Sequence, residues 1–407
     1  MRQCAIPRDR VVAPVRPLPA IPSRLEASFD AGRLTSDGGL PWVAAAEAEL
    51  GVCAAFAAGL TDWRRGPVRH PLALLVRQRV FQIACGYADQ DDADAQRSDP
   101  LLKAVCGRAP ATGADLASQP TLSRFENAVD GRACARLADA LFALYLRERG
   151  RGGVPHRLLR DIDSTDDPTH GGQEGTAYHG HYRQHMYHPL LVFDGDTDHL
   201  IAAALRAGNA HASQGVVPLL TALVPALRSQ WPGIPIEVRM DGGGAIPALY
   251  AFCEQAGLTY TVGLPPNARL THQAARLVGA AEAERAAAGA DKVRLVGETP
   301  YQAGGWPRAR RVVVKVEATA RGTNTRFVVT TRPDPPAALD DRYADRGAAE
   351  GWIKDLKNAC FADRLSDHRF WANQFRLLLH AAAYWLLDTL RRWLAARAVP
   401  RVQLDTL

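Results

Sequence analysis

No two cysteines in this chain stand in a Cys-x-x-Cys pair. The seven present, Cys4, Cys53, Cys85, Cys106, Cys134, Cys253 and Cys360, are odd in number and lie far apart. That pattern excludes a zinc ribbon and a disulfide framework and fits a reducing compartment, so a cytoplasmic location is expected. Long apolar runs are missing too. The longest, residues 377–387, contains His380 and is bounded by Arg376 and Asp388, too short to span a bilayer, so no membrane partner is expected. Arg2, Arg8 and Arg10 open the chain, and Pro14, Pro17, Pro19 and Pro22 follow without an apolar segment of signal-peptide length. Internal repeats and long low-complexity tracts are absent as well.

What is there is a chain of 407 residues, enough for two or three domains around a sizeable core. Its 49 Lys plus Arg against 43 Asp plus Glu leave a net charge of +6, compatible with a polyanionic partner without identifying one. Residues 1–24, rich in Pro and Arg, read as a flexible arm. Residues 25–154 read as an all-helical domain, with helices expected over 40–60, 71–86, 100–106, from Ser118 as N-cap, and over 132–149. A polar helix start bearing Ser, Thr and Arg, such as 118–126, could be presented to a DNA groove.

The pattern changes near residue 155. Segments 157–163 (RLLRDID), 189–194, 200–205, 236–241 (IEVRMD) and 258–264 read as strands, with helices over 216–230 and 245–256. The order β-β-β-α-β-α-β predicts an α/β fold, a mixed sheet flanked by helices. Residues 266–335 read as a basic, β-rich insertion with strands at 311–316 and 326–331. Residues 336–407 return to helix, ending in a long apolar stretch over 367–398.

Within that last part, residues 340–359 predict one amphipathic helix capped by Asp340 or Asp341. At 100° per residue, Tyr343, Arg346, Glu350, Lys354 and Lys357 fall in a sector about 80° wide, with Ala348, Trp352, Leu356 and Ala359 opposite. Taken alone, this is either a salt-bridged solvated face or a site holding a metal through Glu350 and a polyanion through the cations. Asp163 and Asp241 each end a predicted strand, where ligands of an open sheet gather. Three hard carboxylates with no cysteine suit two Mg²⁺ ions, with Mn²⁺ able to substitute. Such a pair would activate a water or 3′-hydroxyl and stabilise the leaving oxyanion. The histidine-rich run 178–188 lacks zinc-ligand spacing and reads as sheet packing or substrate-strand contacts.

These residues carry a resemblance. Asp161-Ile162-Asp163-Ser164-Thr165 and Val238-Arg239-Met240-Asp241-Gly242-Gly243 resemble the first two motifs of bacterial insertion-sequence DDE transposases. Tyr343-x2-Arg346-x3-Glu350-x6-Lys357 is similar to the Tyr-Arg-Glu-Lys signature of one branch in every fixed position. The stretch from Asp363 to Arg376 resembles the insertion-sequence group numbered thirteen-eighty. The resemblance implies a ribonuclease H-like catalytic core split by the insertion, over 155–265 and 336–407, behind the helical DNA-binding domain. It implies that Asp163, Asp241 and Glu350 are catalytic and hold the metals, and that Tyr343, Arg346 and Lys357 grip phosphates, with Lys354 on the same face. Expected partners are double-stranded DNA, both the element's terminal inverted repeats and its target, and a second copy in a homodimeric DNA complex near the bacterial nucleoid. An inactive or domesticated DNA-binding remnant, or a nuclease without transposition, is the alternative.

Overall fold

In a computed structural model the structure describes residues 34–397 and 403–406; the predicted arm, residues 1–24, lies outside them. Seven helices come first: α1 (Leu40–Leu50), α2 (Val52–Gly59), α3 (Leu72–Ala84), α4 (Ala93–Gln96), α5 (Pro100–Val105), α6 (Gln119–Asn127) and α7 (Gly131–Gly150). The single helix expected over 40–60 is two. Gly51 takes a left-handed φ of 64°, and the buried Glu47 carboxylate then accepts the free N–H of Cys53 at 3.1 Å, capping α2 from outside. Ser118 stands at the start of α6 without a side-chain bond to the helix backbone; its hydroxyl meets Thr121 instead.

The strands are β1 (Leu158–Ser164), β2 (Asp167–Pro168), β3 (Ala177–His179), β4 (Gln184–Tyr187), β5 (Leu190–Asp194) and β6 (Leu200–Ala204). Helix α8 (Val216–Gln230), β7 (Ile236–Met240), α9 (Pro247–Gln255), β8 (Thr259–Leu264) and α10 (Ala268–Ala288) follow. Then come β9 (Lys292–Tyr301), β10 (Arg310–Thr319), β11 (Gly322–Thr330), α11 (Pro336–Ala344), α12 (Ala348–Cys360) and α13 (Phe370–Ala395). One eight-stranded sheet runs β6-β5-β1-β7-β8-β11-β10-β9, parallel at β1/β7 and β7/β8 and antiparallel elsewhere. The fold is thus α/β, a mixed sheet flanked by helices. The strands of the basic segment continue this sheet, because β11 pairs with β8 from Phe327 opposite Leu264 to Thr330 opposite Thr261. A small sheet, β2-β4-β3, extends from the end of β1.

Helix α13 is the spine. Its residues from Ala372 to Thr389 are buried, and it packs on α1, α3, α6, α7, α12 and β6. Buried apolar side chains from Leu40 in α1 to Leu404 form one cluster, so the helices before the sheet share a core with the last helix. Buried charges tie the same elements. Arg79 bonds Glu126 at 2.6 Å, and Arg376 of α13 lies against Glu126, Asp367 and Asp89. No single helix among the described residues is long and apolar enough to cross a membrane.

Candidate active site

Alternation along β1 and β7 builds the site. Successive side chains of a strand point to opposite faces, so Leu159, Asp161 and Asp163 share one face of β1, and Glu237, Arg239 and Asp241 one face of β7 and its end. The strands are parallel with Asp161 opposite Arg239 and Ile162 opposite Met240. One residue further, Asp163 and Asp241 stand side by side on strands about 4.8 Å apart. Asp241 also accepts the N–H of Gly243 at 2.9 Å, which fixes its carboxylate at the mouth of a glycine turn. Behind the acid pair, Arg239 binds Asp161 through two bonds of 2.6 Å. Glu237 takes Arg332 at 2.9 Å and also pairs with Arg342 from α11. The face is therefore a charged ladder, neutralised in its depth and left acidic at its end.

The acid pair is electrostatically loaded. Asp163 is pushed up to about 6, first by burial, with the Arg346 guanidinium opposing and Asp241 adding to the rise. Arg346 donates to Asp163 at 3.0 Å and to Glu350 at 3.2 Å, so one guanidinium joins the two carboxylates. Glu350 lies in the first turn of α12 with its side chain 68% exposed. The structure brings Asp163 and Asp241 together and leaves Glu350 on the far side of Arg346. Among the described residues no group of three or more His, Cys, Asp or Glu side chains stands ready to hold a metal ion.

The helix expected over 340–359 is interrupted. Helix α11 begins at Pro336 without a side-chain cap, and residues 345–347 form a 3-10 turn before α12. Asp340 is no cap; it is buried within α11 and paired with Arg294 and Arg326. A 3-10 turn advances about 120° per residue instead of 100°, so three residues rotate the two halves by roughly 60°. Tyr343 is not on the exposed polar face. It is buried against Val313, Val328 and Leu339, with Arg326 stacked on its ring at 5.1 Å. Burial raises its hydroxyl pKa, opposed by Arg346 and helped by Asp241. Ala348 is exposed rather than packed, while Trp352, Leu356 and Ala359 are buried as expected. Lys357 reaches Asp166 at 2.7 Å, and Lys354 is exposed.

Four residues near the acids are not singled out by the sequence. The alternation of RLLRDID and IEVRMD puts Asp161 and Arg239 on the same face as the strand-end acids. Asp166 accepts from Lys357 and Gln184; burial would raise it, and those bonds outweigh burial to hold it below its ordinary value. Tyr182, in the turn between β3 and β4, has its hydroxyl raised by burial and then by Asp166, Asp163 and Asp241. The histidines around it pack as rings: His179 lies 5.0 Å from Tyr182 and 4.9 Å from His188, between centroids.

Residues 20–407 match the family described as transposase DDE domain group 1. No curated protein matches the sequence. Among solved structures, the chain is similar to a piggyBac transposase determined by cryo-EM in a synaptic complex with hairpin DNA. The identity is 10%, with 87% of this chain and 73% of that one covered, at a TM-score of 0.48.

Proposed function

The chain belongs to the transposase DDE domain family, and from that membership we propose that it is a DNA transposase, one that binds the terminal inverted repeats of a bacterial insertion sequence, cuts at its ends and joins them to target DNA. On this reading the strands around β1 and β7 are a ribonuclease H-like catalytic core, β9–β11 with α10 its β-rich insertion, and α1–α7 the DNA-binding region. The insertion-sequence group numbered thirteen-eighty is the branch proposed, and a homodimer the unit that holds two DNA ends.

The observation that carries the proposal is that Asp163 and Asp241 stand at the ends of two adjacent parallel strands, with Asp163 joined through one guanidinium to Glu350. Members of this family use divalent metal ions, and carboxylate oxygens are the hard donors such ions take. Two half-buried carboxylates close together repel, which adds to the rise that burial chiefly gives Asp163, and a cation already sits between Asp163 and Glu350 in the form of Arg346. Asp163, Asp241 and Glu350 would hold two Mg²⁺ ions, or Mn²⁺ in their place. Bound there, such ions supply charge stabilisation at the scissile phosphate and a more acidic attacking hydroxyl. The chain's own part is positioning. Arg346, released from the acids, has the forked geometry to take two phosphate oxygens. Tyr343 offers a hydroxyl from beneath, while Lys357 and the exposed Lys354 supply positive charge along the α12 face.

A second reading, a DNA-binding remnant without cleavage, is favoured by the absence of a three-acid cluster among the described residues. Duplex DNA bearing the repeats that flank the reading frame separates the two. The transposase nicks it in Mg²⁺ and loses nicking, while keeping binding, on Asp163→Asn, Asp241→Asn or Glu350→Gln; the remnant binds it and never nicks it.

A further inference from the structure

Away from the acids, the loop between α2 and α3 gathers positive charge that the proposed chemistry does not use. Arg64, Arg65 and Arg69 lie within six residues, and Arg108 folds onto them from the end of α5. Its guanidinium donates to the Arg69 carbonyl at 3.2 Å and meets the His70 ring nitrogen at 3.0 Å. Arg64 donates to the His70 carbonyl at 2.7 Å, so the Arg108 and Arg64 guanidiniums both hold the buried His70, one at its ring and one at its backbone. Carboxylate compensation is thin. Among the described residues Arg64 alone of the four has an ion pair, with Asp62 at 2.7 Å, while Arg108 is satisfied by the carbonyls of Ala114 and Asp115. The crowding registers on its members: burial, then Arg108, Arg69 and Arg64, lower His70 to about 4. Arg65 and Arg69 are exposed.

Ring contacts tie the loop to the helices beside it. Trp63 stacks on Phe125 of α6 at 6.2 Å, and Arg64 lies over the Trp63 ring at 5.3 Å. Phe125 in turn packs on Phe375 of α13 at 5.2 Å. At the same end of α13, Phe370 takes Glu174 of the β2–β3 connection through its N–H at 3.0 Å, and Gln184 of β4 binds Asp166 beside Lys357.

From this geometry we infer that the Arg64–Arg69 loop with Arg108 is a second grip on duplex DNA, holding backbone phosphates away from the cut. Guanidinium forks suit phosphate oxygens, and cations lacking carboxylate partners gain most from an arriving polyanion. The grip is sequence-independent, since phosphates carry no base information. It rests on the proposed function, because it takes DNA as the partner.

The test is fluorescence anisotropy of the full chain on two duplexes, one with the flanking repeats and one unrelated, across a salt series. The double variant Arg65→Gln/Arg69→Gln leaves Arg64 and Arg108 in their packing roles. It is expected to weaken binding of both duplexes at least tenfold and to flatten the slope of log K against log salt by about 2, one for each phosphate no longer neutralised. Equal affinity and slope in variant and wild type overturn the assignment. So does a shift in self-association by sedimentation with DNA binding intact, which would give the loop to a second copy. Wild type that binds neither duplex fails the proposed function itself, a result distinct from both.

Discussion

At the scale of single residues, Arg346 is the group whose position says most. It holds Asp163 and Glu350 in one fork, doing without metal what a divalent ion would do with it. Hydrogen bonds between charged groups are worth about 1.5–3 kcal/mol, so Arg346 competes with any cation entering the pair. Arg346→Ala is therefore expected to raise Mn²⁺ affinity of the DNA-free chain about tenfold or more by calorimetric titration; unchanged or weaker affinity contradicts the competition. Gly263 marks a second tight point. A Cβ there would collide with the Tyr343 hydroxyl and lie 2.9 Å from the Gly242 nitrogen. Gly263→Ala should cost about 1–3 kcal/mol in denaturant unfolding, with part of the loss restored by adding Tyr343→Phe, which removes the nearer oxygen. The strand-end positions of Asp163 and Asp241 were legible, because period-two alternation and a terminal acid are local signals. Burial of Tyr343 was not, since it depends on the β10–β11 hairpin arriving from elsewhere in the chain.

At the scale of elements, the five strands expected in residues 157–264 appear within a residue or two of their anticipated ends, and α8 spans the residues read for it. Continuous apolar runs between Gly, Pro and Asp turns leave little choice there. The helix over 340–359 went astray because a helical wheel assumes one angular step throughout, and the 3-10 turn at 345–347 changes it. That the β9–β11 strands join the main sheet was equally hidden, as pairing partners lie tens of residues apart. The charged ladder inside β1 and β7 makes a testable element. Arg239 bridges Asp161 and the Arg342 carbonyl of α11, so it fastens the helix before Arg346 to the sheet. Arg239→Ala strands a buried carboxylate and is expected to cost about 3–5 kcal/mol. Replacing both, with Asp161→Leu added, should recover much of that loss; a double variant as unstable as the single one contradicts this account of the pair.

At the scale of the whole molecule, one core joins the helices before the sheet to α13, and buried imidazoles are scattered through it. Burial lowers His70, His188 and His199 to about 4 and His380 to about 3. Each stays neutral in the folded chain but binds a proton in the unfolded chain below its ordinary 6.5. The unfolded state then holds more protons between about 4 and 6.5, and stability falls as pH drops through that window. Asp163 works the other way: its folded value near 6 lies above the ordinary 3.8, so its contribution is present at low pH and lost as pH rises toward 6. The urea midpoint is expected to fall from pH 6.5 to pH 4, and Asp163→Asn to steepen the fall by removing the opposing group. A flat profile would contradict that reading of the histidines. The claim on which the rest depends is that Asp163, Asp241 and Glu350 take divalent ions together once DNA draws Arg346 away. Mn²⁺ titration followed by electron paramagnetic resonance, on the chain bound to its end-bearing duplex, tests it directly. The account predicts two ions bound per chain, and none of that binding in Asp241→Asn; no bound ion, or the same binding in the variant, would contradict it.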